Sequence, residues 1–281
     1  MTKQPILITG ATGKSGSRVV SQLGEKGVPV RPGSRSAQPR FDWADRSTWD
    51  TALEGVEAVY LVPYELDPVA KPFIARAREL GVERVVGLSG RGIDTPGYAG
   101  ANSSVGQLLG DVEEALRESG LRWTIVRPAW FAQNFSEGFF LDAVLAGELR
   151  LPGGDGAATF VDAEDIAAVA VAALTEDGHH QQIYEVSGSQ AVTLAEAAAE
   201  ISSATDRDLK YVPLRHEQFI AELTEQGWPA ADAAEFADTV GAIRRGMDNH
   251  VSDGVQRALG RPARDFRTFV ETAVANGAWT T

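Results

Sequence analysis

Gly10-Ala11-Thr12-Gly13-Lys14-Ser15-Gly16 stands between a short apolar run, Ile6-Leu7-Ile8, and an amphipathic stretch that starts at Arg18. Glycines at this spacing let the backbone leave a strand sharply and bring its N–H groups close to a pyrophosphate, which then rests on the positive end of the following helix. The spacing alone discriminates poorly in a chain with 29 glycines. The context does better, with a strand before it and Val19, Val20 and Leu23 on one helical face after it. Gly10, Thr12, Gly13, Lys14, Ser15 and Gly16 are therefore expected to cradle the phosphates of a dinucleotide, against the plainer reading of a glycine-rich turn.

The rest of the chain supports that beginning. Strand-like runs recur at Ile6 to Thr9, Val28 to Arg31, Ala58 to Val62, Arg84 to Leu88 and Trp123 to Val126, separated by helical segments. Such alternation predicts an α/β fold with a doubly wound parallel sheet, whose ligands bind beyond the C-terminal strand ends. Ser103 and Ser104 can cap a helix to about Arg117, and Gly120 can stop it. Phe135 to Leu145 reads as a helix, Thr159-Phe160-Val161 as a strand, and Ile183 to Ser187 as a strand returning to the main sheet. Asp162 and Asp165 read as helix-capping carboxylates, and Thr193 with Glu196 as a capping box. From Thr193 to about Asn276 the chain is mostly helical. The expected division is a dinucleotide-binding core over residues 1–134, with 157–188 returning to it, and a smaller substrate lobe from 135–156 and 189–281.

Charge and composition exclude several classes. The chain has 281 residues, no cysteine and a net charge of −13. That charge argues against nucleic acid as a partner, and no apolar run is long enough to span a bilayer. The expectation is a cytoplasmic protein acting on a small apolar molecule, with a homo-oligomer or a regulatory partner protein left open. One basic island stands out: between Lys14 and Arg40 six basic residues face Glu25 alone. Arg31-Pro32-Gly33-Ser34-Arg35 ends the second strand, where an acidic side chain would select a ribose 2′-hydroxyl and arginine accommodates a 2′-phosphate. With Arg31, Ser34 and Arg35 there, NADP(H) is predicted over NAD(H).

These residues resemble the NmrA-like branch of the atypical short-chain dehydrogenases/reductases, a Rossmann-type family. The resemblance covers nearly the whole chain. It is carried by the glycine motif, Ser34-Arg35, Phe41-Asp42-Trp43, Ala58 to Val62, Val85 to Gly90, Ser119 to Pro128 and Phe160 to Ala167. Within that branch the pattern is most similar to bacterial relatives of the festuclavine and agroclavine dehydrogenases. The resemblance implies that Asp42 and Trp43 lie near the adenine, and that Val62, Pro63, Tyr64, Ser89 and Gly90 border the ribose and nicotinamide. It does not choose a reaction, because the branch also holds quinone reductases, benzylic ether reductases and nucleotide-binding regulators.

Standard members of the superfamily protonate a carbonyl oxygen with a tyrosine whose pKa is lowered by a lysine four residues on. Here Tyr98 is followed at that spacing by Asn102, and no lysine occurs between Lys71 and Lys210. Acceptors that need little acid help then fit best: an iminium ends as a neutral amine, and a quinone or activated enone delocalises its anion. Ser89 and Tyr98 are the candidate catalytic groups, with turn-capping and loop-packing as their plainer readings. Tyr64, Arg91, Trp130 and Phe131 are candidates for substrate contact, while Phe135 and Phe139, four apart, read as core. Phe219 and Trp228 are weaker lid candidates, and His179-His180 reads as a solvated loop with no metal. The competing functions are a nucleotide-sensing regulator and a non-redox tailoring enzyme.

Overall fold

A computed structural model describes residues 4–63, 69–98 and 103–280. Strand β1 (Ile6–Thr9) is buried at every position, as a central parallel strand with both faces covered must be. It is flanked by β2 (Val30–Gly33) and β3 (Ala58–Leu61), followed outward by β4 (Arg84–Leu88), β5 (Arg122–Pro128) and β8 (Gln182–Val186). The six strands run parallel in the order β2-β1-β3-β4-β5-β8. Between β1 and β3 the order reverses direction, and that is where a doubly wound sheet opens a crevice for ligand.

Alternation along β1 sorts the two faces. Ile6 and Ile8 pack with Val19 and Leu23 of α1 (Lys14–Glu25) and with Ile166, Ala167 and Ala170 of α7 (Ala163–Thr175). Leu7 turns to the other face, among Leu53 of α2 (Trp49–Leu53), Phe73 and Ile74 of α3 (Ala70–Glu79) and Leu116 of α4 (Ser104–Glu118). The strands and both helical layers agree with the expected architecture. Strand β2 is offset by two residues from the predicted Val28 to Arg31, because Val28 closes the turn after α1 by donating to the Leu23 carbonyl.

A third apolar cluster lies beyond the strand ends, around Phe135, Phe160, Val240 and Phe269. The chain enters it after β5 through α5 (Asn134–Glu137), α6 (Leu141–Ala146), β6 (Glu148–Leu151) and β7 (Ala157–Ala158). It returns after β8 through β9 (Val192–Thr193), α8 (Leu194–Thr205), β10 (Lys210–Pro213), α9 (His216–Glu225) and α10 (Ala230–Arg244). Helices α11 (Gly254–Leu259) and α12 (Phe266–Ala275) follow. Small sheets pair β6 with β10 and β7 with β9.

Several sequence readings are corrected here. Phe135 to Leu145 is not one helix, because extended Gly138 separates α5 from α6. A side chain at that position would collide with the Lys14 ammonium and the Asn134 amide. Phe135 is core, but Phe139 is 63% exposed. Thr159 to Val161 contributes only a bridge between Val161 and Phe131. Asp162 caps α7 as read, whereas buried Asp165 instead accepts from the Arg264 N–H and pairs with Arg261. His179 is buried against the Tyr184 hydroxyl rather than solvated. No helix among the described residues is long and apolar enough to cross a membrane.

Candidate functional site

The glycine turn closes on itself at the C-terminal end of β1. Gly10 has φ +64 and would press a Cβ to 3.1 Å from Val62 Cβ, so a left-handed backbone and a tight neighbour both require glycine. The Gly13 N–H donates to the Gly10 carbonyl at 2.9 Å. A Cβ on Gly16 would lie 2.7 Å from the Gly10 carbonyl carbon, so α1 can approach β1 this closely only without one. Gly13 caps α1 with no side-chain bond, and the first turn carries no acidic residue. Among the described residues the positive end of α1 thus has neither a side-chain cap nor an acidic first-turn residue to offset it.

Around this turn Thr12 is exposed and Ser15 is buried beneath the helix start. Lys14 donates to Asn134 Oδ1 at 3.1 Å and lies over the Phe139 ring, 5.3 Å from its centroid. Thr9, which sequence reasoning missed, clips the strand ends together: its Oγ1 donates to the Tyr60 carbonyl and accepts from the Val62 N–H at 2.7 Å. Val62 and Pro63 border the crevice directly after β3; Tyr64 lies outside the described residues.

At the tip of β2 the basic residues separate. Arg31 is corrected: its guanidinium donates to the Ala52 and Glu54 carbonyls at 2.8 and 2.6 Å, closing the end of α2. It is therefore committed away from any ribose. Arg35 is exposed and makes no hydrogen bond or ion pair among the described residues. The Ser34 carbonyl accepts from the Ala37 and Phe41 N–H groups, which folds the loop, and its hydroxyl is 3.3 Å from that of Ser36. Asp42 pairs with Arg40 at 2.7 Å and accepts from the Ala44 N–H. Trp43 is packed edge-on against Phe41 and Phe73, so its first role is core.

The two candidate catalytic hydroxyls are both hydrogen-bonded to buried carboxylates. Ser89 donates to Glu113 Oε1 at 2.6 Å, and the same carboxylate takes a two-point fork from Arg127 at 2.7 Å and a bond from Arg117. Burial alone would raise the Glu113 pKa, but the Arg127 fork and the Ser89 hydroxyl outweigh it and hold the carboxyl below its usual 4.5. Gly90 packs on Leu109 beside it. Tyr98 donates to Asp248 Oδ1 at 2.7 Å and is buried, not a loose loop side chain. Arg91 is also buried and bonds Thr159 at 2.8 Å, with Glu185 at 3.0 Å, so it is no open substrate contact.

An aromatic wall follows β5. Trp130 stacks on Phe140 with ring centroids 6.0 Å apart, and Phe131 is partly buried. Exposed Phe139 leans on Phe236 of α10, which in turn stacks with Trp228. Glu235, beside Phe236, accepts from Ser104 at the start of α4, so α10 spans from β4's helix to the segment after β5. Phe219 is buried core instead of lid.

Comparison with known proteins gives this geometry a context. A family described as NAD(P)H-binding matches residues 10–177. The chain is 35% identical over 292 residues to an NAD(P)H azoreductase of Xenophilus azovorans, covering 97% of this chain and 99% of that one. It is 30% identical over 284 residues to agroclavine dehydrogenase of Claviceps fusiformis, covering 94% and 96%. A crystal structure of NADPH-dependent quinone oxidoreductase from Escherichia coli, complexed with NADPH, superimposes with a TM-score of 0.80 at 25% identity, covering 96% and 99%.

Proposed function

Because this chain belongs to the NAD(P)H-binding family, in its NmrA-like branch of NAD(P)H-dependent oxidoreductases, we propose that it passes hydride from NADPH to a flat, apolar acceptor, an iminium, quinone or activated enone. The observation that carries the reading is a helix start without a side-chain cap behind a glycine turn, with Arg35, unpartnered among the described residues, in the loop just past β2. The helix N–H groups suit the pyrophosphate, and Arg35 with Ser34 suits a 2′-phosphate. NADPH, when bound, supplies the hydride.

The protein's own contribution is positioning. Val62, Pro63 and Gly90 are compact residues just past the ends of their strands, along which a ribose and nicotinamide can lie. Trp130, Phe131 and exposed Phe139 offer a wall for a planar acceptor and exclude water from its face. Ser89, held by Glu113, keeps oxygen lone pairs with which to accept from a carboxamide. The similarity to proteins named as an azoreductase, a quinone oxidoreductase and a clavine dehydrogenase supports this choice.

Oxidation of NADPH, followed by its absorbance, across quinones, cyclic iminium ions, enones and azo compounds tests the proposal. Turnover with at least one class and a preference for NADPH over NADH are expected. Tight NADPH binding with no turnover in any class favours the nucleotide-sensing regulator, a reading to which the engaged Ser89 and Tyr98 hydroxyls also lend support.

A further inference from the structure

Asp248 is fully buried in the turn between α10 and α11, where an unpaired carboxylate is costly. Its Oδ1 lies 2.7 Å from the Tyr98 hydroxyl, while Oδ2 makes no hydrogen bond of good geometry among the described residues. The neighbouring cation, Arg91, does not belong to Asp248 alone. Its Nε pairs with Glu185 at 3.0 Å, Glu185 also holds His250 at 2.7 Å, and Arg91 Nη2 is left without a partner among the described residues. The Arg91 guanidinium is thus paired with Glu185 and reaches Asp248 at its backbone carbonyl, 3.4 Å from Nη1, with His250 on the exposed side.

The position of the pair is as informative as its charge. Tyr98 ends the described part of the loop after β4, and Trp130 is the second residue after β5, so both stand beyond the C-terminal ends of neighbouring strands. The loop is shaped to seat the ring: Gly92 has φ +76, and a Cβ there would come within 2.6 Å of Tyr98 Cγ. Burial raises the Asp248 pKa above its usual 3.8, against the opposing pull of Tyr98, Trp130, Arg91 and His250. Burial and the Asp248 charge likewise raise that of Tyr98.

We propose that Asp248 and Tyr98 form a proton relay serving the acceptor once hydride has been delivered. The inference rests on the hydride-transfer reading above. In the loaded relay Asp248 carries a proton on Oδ1 and donates it to the Tyr98 oxygen, which frees the phenolic hydrogen to point outward. The acceptor anion, formed when hydride adds, takes the hydrogen of Tyr98: that O–H bond breaks and a bond to the acceptor forms. Tyr98 takes the Asp248 proton in the same sequence, leaving Asp248 as a carboxylate whose charge Arg91 partly offsets. Tyr98 then donates to Asp248 Oδ1, which is the arrangement observed. Water returns the proton to Asp248, so one hydride and one proton reach the acceptor in each cycle. Tyr98 is the catalytic residue and Asp248 positions and recharges it.

The relay predicts a dependence on acceptor chemistry that a purely structural tie between the Asp248 turn and the β4 loop would not show. Enone and azo acceptors need a proton after hydride addition, whereas an iminium ion does not. Asp248→Asn and Tyr98→Phe are compared with the unaltered protein for NADPH affinity, and for kcat on an enone, an azo compound and a cyclic iminium ion from pH 5 to 9. General acid groups contribute about 100-fold or more. The expected result is a loss of about that size on the enone and azo compound, with iminium reduction and NADPH affinity within about threefold. The unaltered protein should also lose enone activity as pH rises, with that limb missing in Asp248→Asn. Equal losses on all acceptors, or no loss on the enone and azo compound, would overturn the relay alone. Absence of turnover in the unaltered protein would remove the hydride reading together with it.

Discussion

Alanine in place of glycine should have opposite effects at two positions of the same helix. In α1, a Cβ on Gly16 would sit 2.7 Å from the Gly10 carbonyl carbon and 3.2 Å from Ala11 Cα, whereas ordinary contact begins at 3.4 Å. The Gly10 carbonyl oxygen would lie closer still, so the first turn of α1 must retreat from β1 by more than about 0.7 Å, the difference between 3.4 and 2.7 Å. Overpacking of this kind costs about 1–3 kcal/mol. For a chain of this size each kcal/mol lowers Tm by about 2–4 °C, so Gly16→Ala should melt roughly 2–12 °C earlier. The same retreat lengthens helix N–H contacts to a phosphate beyond hydrogen-bonding range, which starts to fail above about 3.2 Å. Loss of about one charge-assisted bond, about 1.5–3 kcal/mol, weakens NADPH about tenfold or more. Gly24, near the other end of α1, has nothing within 4 Å of the place a methyl group would take, so Gly24→Ala should instead stabilise by about 0.5–1 kcal/mol and leave NADPH unchanged. Thermal unfolding and calorimetric titration with NADPH measure both effects. A Gly16→Ala protein whose Tm lies within about 1 °C of the original, with Kd within about twofold, would refute the argument that close strand–helix approach builds the phosphate site.

Arg35→Ala should weaken NADPH by about tenfold, the value of one charge-assisted bond, and change NADH by less than about twofold. Tm should be unaltered because Arg35 has no partner among the described residues; comparable losses for both coenzymes would count against the 2′-phosphate assignment. Glu113 has a folded pKa below its usual 4.5, so its stabilisation is present above that value and is lost as pH falls through the folded one. Urea unfolding at pH 7 should show Glu113→Gln destabilised by about 3 kcal/mol, with the gap to the unaltered protein narrowing in acid; a constant gap would contradict the ion-pair account.

The parts of the fold that can be read from sequence are those whose signal is local. Ile6 to Thr9, the glycine turn and the amphipathic start of α1 are contiguous, so strand, cradle and helix follow from one short stretch. Thr193 with Glu196 forms the capping box expected of that spacing. The site beyond the cradle depends on contacts remote in sequence. Arg31 resembles a 2′-phosphate ligand because strand-end position is local information, but the α2 carbonyls that claim it come from residues 52 and 54. Ser89 and Tyr98 follow β4 closely enough in sequence to be placed beyond it, yet their partners, Glu113 and Asp248, lie 24 and 150 residues away. Asp248 sits in the polar turn Met247-Asp248-Asn249-His250, which reads as a surface loop. Phe139 reads as core only if helical spacing is extended across Gly138, where the backbone is extended and the helix is interrupted.

The lateral strand β2 has a further consequence for how copies of this protein can associate. Ile6 N–H donates to the Pro29 carbonyl, and parallel pairing then turns the N–H groups of Arg31 and Gly33 toward β1. The nitrogen of Pro32 accordingly faces away from the sheet, on its open margin, and carries no hydrogen. A foreign strand laid along that margin would find a donor missing midway, which discourages edge-to-edge aggregation and continuous intermolecular sheets.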